Sequence, residues 1–489
     1  MVDGTSDLRG VFRRFVDAGL AGQFDPLGGV DDEGVIHVEA DTPNGVRLRG
    51  GWFDDDQFNL FGGMGIDQFN EWGRTVGSLP SIDNDLGDEL LVSSPGFDPG
   101  FGLLGIDHGR IDVWLSQDYT DDIHYGGEPV LSLPGYGACV GGSCITSFDP
   151  DDDSSFCVRC FHPTPVHSVI IGEQGGDRLG FAGSAGQFNQ DGTHDVAAGA
   201  PGADREGFVD NGIFYVFFTP QGGFGDTDLA TEPFPRLEIR GSHHGDQFGS
   251  VQTEIEDMNG DGISDVGFGS QFYDDDVIGI DAGYVGVILG NRPLTGENGF
   301  FPEAVGTPIL AGVRFIGASA GAAAGFDVDS AGDFNADGFG DLLISSPNEV
   351  RCETTNGTFQ LPVGGTCSPG TIPHFGVAYL IFGGTHLDPA INGRQNNVFN
   401  LTEVGQPQLP GIVFVGRILP GTGAETMAPL ANVGGVGDID GDGFDDIFVA
   451  SPFADFVNLQ DPTQRRVDAG EAYLIYGNNF GPNHPSTFP

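Results

Sequence analysis

The chain contains no lysine, and its 19 basic residues are all arginine. Against them stand 71 acidic residues, so the formal net charge is −52. A chain of this charge is repelled by nucleic-acid phosphates and by anionic membrane surfaces. The composition therefore excludes a nucleic-acid partner. It is typical of a protein kept soluble by hydrated carboxylates in salty or calcium-rich surroundings.

Long apolar runs are also absent. No stretch reaches the roughly 18 apolar residues of a membrane span, so none is predicted. The first residues, MVDGTSDLRGVFRRFVDAG, lack the apolar core of a secretion signal, so an exported protein of this sequence is expected to use another route or to have lost a signal. With 83 glycines, 31 prolines and 38% hydrophobic residues, the chain is turn-rich and is not a disordered polyanion.

The stretch DIDGDGFDDIFVASP, Asp438 to Pro452, carries carboxylates at alternate positions of a short loop. Positions 1, 3, 5 and 9 are Asp438, Asp440, Asp442 and Asp446. Ca²⁺ binds about six to eight oxygen ligands, including a backbone carbonyl, here that of Phe444 at position 7. Gly443 at position 6 permits the sharp turn. The pattern predicts a calcium loop, and the alternative is an acidic turn before a strand.

The same pattern recurs four times upstream. Two copies are complete, with predicted ligands Asp333, Asn335, Asp337, Phe339 and Asp341, and Asp257, Asn259, Asp261, Ile263 and Asp265. Two copies are weaker, with predicted ligands Asn189, Asp191, Thr193 and Asp195, and Asp83, Asp85, Gly87 and Glu89. Gln187 replaces the position 1 carboxylate of the former, and Leu86 replaces the position 6 glycine of the latter. We therefore expect three to five structural Ca²⁺ ions.

An EF-hand is excluded by position 12 of these loops. An EF-hand needs a bidentate Glu there and a helix on each side. The residues at this position are Val449, Ile344, Phe268, Ala198 and Val92. Each loop therefore leads into an apolar, strand-like segment.

Each loop occupies the same place in a repeated order of strand-like segments. Around the third loop, RLEIRG (Arg236 to Gly241) and a segment containing Phe-Gly come before the loop, and an apolar strand and GYVGVILG (Gly283 to Gly290) follow it. Four-stranded units at a spacing of about 70 residues predict propeller blades, because one small sheet cannot bury both faces alone. The sequence therefore predicts an all-β propeller of five to seven four-stranded blades.

The two ends of the chain suggest how the ring closes. The chain ends after the third strand of a unit, Gly470 to Asn478, and has a spare strand, GVRLRG (Gly45 to Gly50), near its start. We predict that this N-terminal strand pairs with the last blade, which removes two exposed sheet edges. The predicted domains are an N-terminal extension or degenerate repeat at 1–44 and the propeller at 45–489, with loop insertions at about 117–165 and 348–375.

Six cysteines lie in the two insertions. Cys352 and Cys367 bracket a polar stretch, which predicts a disulfide-closed loop in an oxidising compartment. The other four are Cys139, Cys144, Cys157 and Cys160. Their spacing allows two local disulfides or, with the histidines that follow, a zinc site, and both alternatives stay open.

The flanks of the acidic loops resemble FG-GAP repeats. Phe248 and Gly249 form the FG element of the third unit, and Gly199, Ala200 and Pro201 form a GAP element. These features are similar to the repeats of integrin α-subunit propellers and of their bacterial or archaeal relatives, and the resemblance covers residues 45 to 478. It implies a β-propeller with calcium in the loops between the first and second strands of each blade.

The fold does not fix the function. We expect a calcium-stabilised extracellular or cell-surface module for binding or adhesion, whose loop insertions contact a protein or glycan ligand. A homo-oligomeric structural subunit of an extracellular filament or surface layer is an alternative. An enzyme that cleaves polysaccharide or phosphodiester is a second alternative.

The sequence offers little support for catalysis. The 11 histidines are scattered, and the best pair, His243 and His244 before Asp246, lies in the turn that precedes an FG element. No nucleophile elbow, phosphate-binding loop or dinucleotide-binding motif occurs in a suitable context. No catalytic or cofactor-binding residue is therefore predicted, and we expect that the chain is not an enzyme.

Overall fold

A computed structural model describes the chain in segments that become nearly continuous after residue 167. The described residues are 47–48, 76–79, 89–96, 107–114, 130–131, 143–148, 155–161, 167–189, 191–220, 226–231, 234–290, 298–363, 366–416, 429–454, 456–457, 465–466, 469–478 and 487–488. They belong to two compact units, Met1–Gly180 with Thr219–Pro233, and Phe181–Phe218 with Phe234–Pro489.

The described chain is built of short strands. Those before residue 181 are β1 (Arg47–Leu48), β2 (Val76–Leu79), β3 (Glu89–Ser94), β4 (Arg110–Trp114), β5 (Val130–Leu131), β6 (Ser143–Phe148), β7 (Ser155–Phe161) and β8 (His167–Ile171). Those from 181 to 316 are β9 (Gly183–Gly186), β10 (Asp195–Ala200), β11 (Ile213–Phe217), β12 (Asp226–Asp228), β13 (Arg236–Arg240), β14 (Val251–Ile255), β15 (Asp265–Ser270), β16 (Tyr284–Ile288), β17 (Asn298–Phe300) and β18 (Gly312–Ile316).

The later strands are β19 (Val328–Gly332), β20 (Asp341–Glu353), β21 (Phe359–Gln360), β22 (Ile372–Ile381), β23 (Val398–Asn400), β24 (Gly411–Val415), β25 (Asn432–Gly437), β26 (Asp446–Ser451), β27 (Phe456–Val457), β28 (Arg465–Arg466), β29 (Glu471–Ile475) and β30 (Thr487–Phe488). Helical structure among the described residues is limited to α1 (Pro389–Asn392) and the 3-10 turns Pro302–Ala304, Thr385–Leu387, Gln395–Asn397 and Leu401–Glu403. None of these described helices has the length or apolar character of a membrane span.

Five sheets repeat one antiparallel order, and we call them blades 1 to 5. Their strands, from first to last, are β2-β3-β4-β8 in the first unit, and β9-β10-β11-β13, β14-β15-β16-β18, β19-β20-β22-β24 and β25-β26-β29 in the second unit. The second strands of blades 2 and 3 are buried at every residue, as expected of a strand with both faces covered. The all-β, blade-forming prediction is confirmed.

Each of blades 1 to 4 has a short fifth strand. It runs parallel to the fourth strand; the pairs are β8 with β12, β13 with β17, β18 with β23, and β24 with β30. In sequence, β17 lies between the third and fourth strands of blade 3, although it pairs with the fourth strand of blade 2. In the same way, β23 lies between the third and fourth strands of blade 4 and pairs with blade 3, so each of these blades supplies an edge strand to the blade before it.

The hydrophobic core of the second unit lies between the faces of consecutive blades. Phe214 of blade 2 stacks on Phe268 of blade 3 with ring centroids 4.3 Å apart. Val285 and Tyr379 belong to one cluster between blades 3 and 4, and Leu380 and Ile447 belong to another between blades 4 and 5. The first strands β9, β14, β19 and β25 lie side by side. Each blade thus covers its neighbour, as the prediction of stacked sheets requires.

Residues 348–375, predicted as a loop insertion, extend two strands of blade 4. β20 and β22 pair beyond the blade as far as Glu353 opposite Ile372, and β21 adds a third strand. Cys352 and Cys367 form the predicted disulfide, with their Cα atoms 5.5 Å apart. We call residues 348–375 the blade 4 arm.

Two other sequence-based predictions concern segments of which the structure describes only some residues. Within GVRLRG, Arg47–Leu48 form β1, which pairs in parallel with β5. Among the described residues the last blade contains only β25, β26 and β29, so the predicted closure by an N-terminal strand is not found. In the first insertion, β6 and β7 form a hairpin with Cys144 opposite Cys160, whereas Cys139 lies outside the described residues. The choice between disulfides and zinc there stays open, as do the domain boundaries.

Candidate metal centre

The three complete acidic loops connect the first and second strands of blades 3, 4 and 5. Position 9 of each loop is the first residue of the second strand, β15, β20 or β26. In blades 4 and 5 the first strand contains a register shift just before the loop, at Gly332 and Gly437. Both glycines have left-handed φ, 63° and 64°, which other residues adopt at a cost. The loop therefore leaves the sheet at a glycine bulge.

The carboxylate at position 1 closes the turn through backbone hydrogen bonds. Asp438 Oδ1 accepts the N–H groups of Gly441 at 2.6 Å and Asp442 at 3.1 Å, and Oδ2 accepts that of Gly443 at 2.9 Å. The corresponding donors are Gly260, Asp261 and Gly262 to Asp257, and Asp337 and Gly338 to Asp333. These bonds fold the loop around the first carboxylate.

Positions 3 and 5 continue the turn. The side-chain oxygen at position 3 accepts the N–H of position 5, and the carboxylate at position 5 accepts the N–H of position 7. In the loop of blade 5, Asp440 accepts from Asp442 at 3.2 Å, and Asp442 accepts from Phe444 at 3.1 Å. The loops of blades 3 and 4 repeat both bonds at 3.0 and 3.1 Å. Short polar side chains at alternate positions therefore determine the loop geometry.

The carboxylate at position 9 is buried and joins the loop to the third strand. Asp341 has no exposed surface, its Oδ2 accepts the N–H of Phe334 at 3.1 Å, and its Oδ1 accepts that of Gly383 at 2.8 Å. The equivalent donors are Met258 and Gly290 to Asp265, and Ile439 and Gly477 to Asp446. This residue anchors the hairpin and has lone pairs left for an ion.

The arrangement in blade 5 fits one cation. Asp438, Asp440 and Asp442 are exposed, and each offers a carboxylate oxygen within 4.8 Å of the other two. Because Ca²⁺ lies about 2.3–2.6 Å from its oxygen ligands, two ligands on opposite sides of the ion are up to about 5 Å apart. The three carboxylates, the Phe444 carbonyl and Asp446 would hold the ion. Their role as ligands, and that of the corresponding residues in the other loops, stays a prediction.

Electrostatics disfavours full ionisation of these loops when no cation is bound. Desolvation raises the pKa of Asp341 well above its usual range, and the charges of Asp337 and Asp333 add to the rise. Desolvation, followed by the charge of Asp442, also raises the pKa of Asp440. A divalent cation opposes such shifts because it stabilises ionised carboxylates.

The loops of consecutive blades are hydrogen-bonded to one another. Asp445, at position 8 in blade 5, accepts the Asp333 N–H with Oδ2 at 2.8 Å and donates its own N–H to the Asp333 carbonyl at 3.4 Å. A Cβ at Gly332 would lie 2.2 Å from this Asp445 oxygen, so glycine is needed there. Between blades 3 and 4, Gly340 donates its N–H to the Asp257 carbonyl at 3.0 Å. The acidic loops therefore form a continuous seam along one end of blades 3 to 5.

The two weaker loops differ in how much of them is described. In the loop that begins at Gln187, Asn189 accepts the Asp191 N–H at 2.9 Å and Asp191 accepts the Thr193 N–H at 2.8 Å. Asp195 at position 9 is fully buried. The first loop lies outside the described residues at Asp83, Asp85 and Gly87, and Glu89 is described as the first residue of β3.

Sequence reasoning did not identify the partners of position 9. They are the N–H groups of position 2 and those of the glycines that follow each third strand, Gly290, Gly383 and Gly477. The signal is visible in GYVGVILG, GVAYLIFG and GEAYLIYG, each of which ends in this glycine. Sequence reasoning also missed Asp445, because the loop pattern gives a role to position 9, the neighbouring Asp446, and none to position 8.

The histidine pair has a structural role in its turn. Asp246 is fully buried, and its Oδ2 accepts the N–H groups of Ser242 and His243, each at 2.8 Å. His244 Nδ1 accepts the Val209 N–H at 2.9 Å. These bonds hold the turn that precedes Phe248, as expected for turn residues.

Comparison with known proteins supports the identification of the repeats. Residues 323–360 and 431–475 match the family model of the FG-GAP repeat, and they contain the acidic loops of blades 4 and 5. A search of curated proteins found no match to the chain. FG-GAP repeats generally form propeller-like binding modules, often bind Ca²⁺ and typically occur in extracellular or surface proteins. The chain therefore contains FG-GAP repeats and has an all-β, propeller-like fold.

Proposed function

We propose that this protein is a calcium-stabilised extracellular binding module. The observation that carries the proposal is the cluster of Asp438, Asp440 and Asp442, whose carboxylate oxygens lie within 4.8 Å of one another. Without a cation, three exposed carboxylates at this separation repel one another. A bound Ca²⁺ removes that repulsion and links position 1 to position 9, so it stabilises the hairpin at one end of each blade.

The role of the ion in this proposal is structural. Asp446 at position 9 is buried, and it accepts N–H groups from Ile439 and Gly477. The metal-bound loop would therefore be fastened to the core of blade 5 through this one residue. Ca²⁺ supplies a positive charge and several oxygen-coordination positions at this site. The residues themselves hold the loop in the geometry that the ion needs.

The binding surface is proposed at the opposite end of the blades. Each second strand begins at the acidic loop and ends at the connection to the third strand, so these connections lie far from the metal loops. They carry exposed apolar side chains, among them Val209, Val277, Ile280, Val363 and Phe453. Exposed apolar groups beside polar ones are typical of surfaces that contact a partner. A protein or glycan ligand at the cell surface fits this chemistry.

The calcium part is tested by thermal unfolding with Ca²⁺ and with EDTA, run with size-exclusion chromatography. We expect EDTA to lower the melting temperature and Ca²⁺ to restore it, since each site at about 100 times its Kd contributes about 2.7 kcal/mol. Asp440→Asn should reduce the gain with Ca²⁺. Asp276→Asn, an equal charge change at an exposed residue between β15 and β16, should not.

An unchanged melting temperature together with metal-free protein in elemental analysis would contradict the calcium part of the proposal.

The ligand-binding part of the proposal is tested on arrays of glycans and surface proteins. Ile280→Ser should weaken any signal, whereas Ile309→Ser, at a residue that is also 69% exposed but lies in the connection between the third and fourth strands, should leave it unchanged. Elution as a large particle would favour the self-assembling alternative.

A further inference from the structure

The sequence contains two Asn-X-Thr sequons, at Asn356 and Asn400. This tripeptide is the acceptor for N-linked glycosylation, but the acceptor asparagine must be accessible in a surface loop. The two sequons occupy different environments, because one lies on the blade 4 arm and the other lies at the edge of a blade.

Asn356 lies at the tip of the blade 4 arm and is exposed. The tip is a tight turn in which Gly357 donates its N–H to the Thr354 carbonyl at 2.9 Å, and Thr354 donates its N–H to the Thr358 carbonyl at 2.8 Å. Gly357 has a left-handed φ of 75°, and Thr358, the sequon hydroxyl residue, is also exposed. Both sequon residues are therefore exposed to solvent, and the Thr358 hydroxyl is hydrogen-bonded to that of Thr354 at 2.7 Å.

Asn400 is engaged on both sides of its amide. Its Oδ1 accepts the Thr402 N–H at 2.9 Å, and its Nδ2 donates to the Gly317 carbonyl at 3.0 Å. Its backbone N–H donates to Glu403 at 3.0 Å, which completes a capping box at the 3-10 turn Leu401–Glu403. A sugar on this Nδ2 would replace one of its two hydrogens and place a bulky group where Asn400 contacts Gly317, at the end of the fourth strand of blade 3.

We propose that Asn356 is an N-glycosylation site of the protein and that Asn400 is not. The proposal rests on the extracellular location in the proposed function, since the modification occurs on exported chains. The disulfide Cys352–Cys367 in the same arm is an independent sign of an oxidising compartment.

The sugar donor is a lipid-linked oligosaccharide phosphate or pyrophosphate supplied by the host. The Asn356 Nδ2 forms a bond to the anomeric carbon, the bond from that carbon to the phosphate oxygen breaks, and the lipid phosphate leaves. The proton lost from Nδ2 passes to a base of the glycosyltransferase. The Asn356 amide is the only group of this chain that takes part in the transfer.

The test is peptide mapping of protein purified from its native host and digested with trypsin. Arg351, Arg394 and Arg417 are consecutive basic residues in this region, so Asn356 and Asn400 fall in different peptides. We expect a glycan mass on the peptide that starts at Cys352, placed on Asn356 by electron-transfer fragmentation. The peptide that starts at Gln395 should have its unmodified mass.

Matched variants expressed in the same host separate the two sites. Thr358→Val should abolish the glycopeptide, and Thr402→Val should leave it unchanged. A bare Asn356 or a glycan on Asn400 would overturn the proposal. If Asn356 is bare while Cys352 and Cys367 are oxidised, the glycosylation site fails but the extracellular location survives. If both thiols are reduced, the extracellular location fails as well.

Discussion

The acidic loops of blades 2 and 4 share the hydrogen bonds of positions 3 and 5 but differ in charge at position 1. Both have hydrogen bonds from position 5 to position 3 and from position 7 to position 5, and both bury the carboxylate at position 9, Asp195 or Asp341. At position 1, Asp333 accepts two backbone N–H groups, whereas blade 2 has the neutral Gln187. The hairpin is therefore specified by positions 3, 5 and 9, and position 1 adds the charge that a cation needs.

We expect the largest loss of stability from substitution of the buried carboxylate at position 9, which both loops have. Asp341→Ala leaves the buried N–H groups of Phe334 and Gly383 without their acceptor, which should lower the free energy of unfolding by about 2–5 kcal/mol. Chemical denaturation in EDTA measures this without any contribution from metal. Asp276→Ala removes an exposed carboxylate outside the acidic loops and is the control, and an equal loss there would contradict the anchoring role.

The difference between the two loops at position 1 is tested by the substitution Gln187→Asp. This substitution gives blade 2 the missing carboxylate, so the number of Ca²⁺ ions bound, measured by calorimetry, should rise by one. At ten times the Kd of the new site, the gain in stability should be about 1.4 kcal/mol. Gln174→Asp makes the same chemical change in an exposed turn outside the loops and should change neither quantity. An unchanged number of bound Ca²⁺ ions in Gln187→Asp would contradict this prediction, because the blade 2 loop would then lack more than the carboxylate at position 1.

A smaller difference concerns the first strands. Opposite the second residue after position 9, the first strand of blade 4 has Asp329 and that of blade 2 has Ser184. Asp329 accepts hydrogen bonds from Thr253 of blade 3 at 2.9 Å and from the Gly435 N–H of blade 5 at 3.1 Å. Burial raises its pKa to about 7, against the opposing effect of these bonds, and the nearby charge of Asp327 adds to the rise.

This shift predicts a pH dependence. Because the pKa of Asp329 is higher in the folded than in the unfolded state, its protonation stabilises the fold fully below about pH 4, and this contribution is lost as the pH rises through about 7. The melting temperature in EDTA should therefore fall between pH 4 and pH 8, and Asp329→Asn should flatten the profile. Some slope should remain because burial raises the pKa of Glu254 to about 8. An unchanged slope in Asp329→Asn would contradict the assignment.

The acidic loops and the strands around them could be predicted because their signals are local. Alternating carboxylates, the position 6 glycine and the apolar run after position 9 lie within one short stretch such as Asp438 to Pro452. The same pattern treats Asp446 as one of four equivalent acids, whereas the structure buries it and leaves the other three exposed. That difference depends on the glycine after the third strand, which is distant in sequence.

The edge strands could not be predicted for a related reason. Segments such as Asn298–Phe300 and Val398–Asn400 are three residues long, too short for a period-2 pattern to be recognised. Their pairing partners lie in the preceding blade, so no local turn signal indicates the register. The blade 4 arm shows the opposite case, because a polar segment judged by composition as a loop continues two strands whose register is already set inside the blade.

Because each of these edge strands pairs with the sheet before its own, the unit of sequence and the unit of structure have different boundaries. A cut made at the start of one sheet removes an outer strand from the sheet before it, so a single blade cannot be excised or transplanted as an intact cassette. Duplication of such a repeat in evolution conserves pairing only if the copied segment begins and ends at the same point of the cycle. A designer who adds or deletes a repeat should therefore place both junctions in equivalent connections, such as those before β17 and before β23.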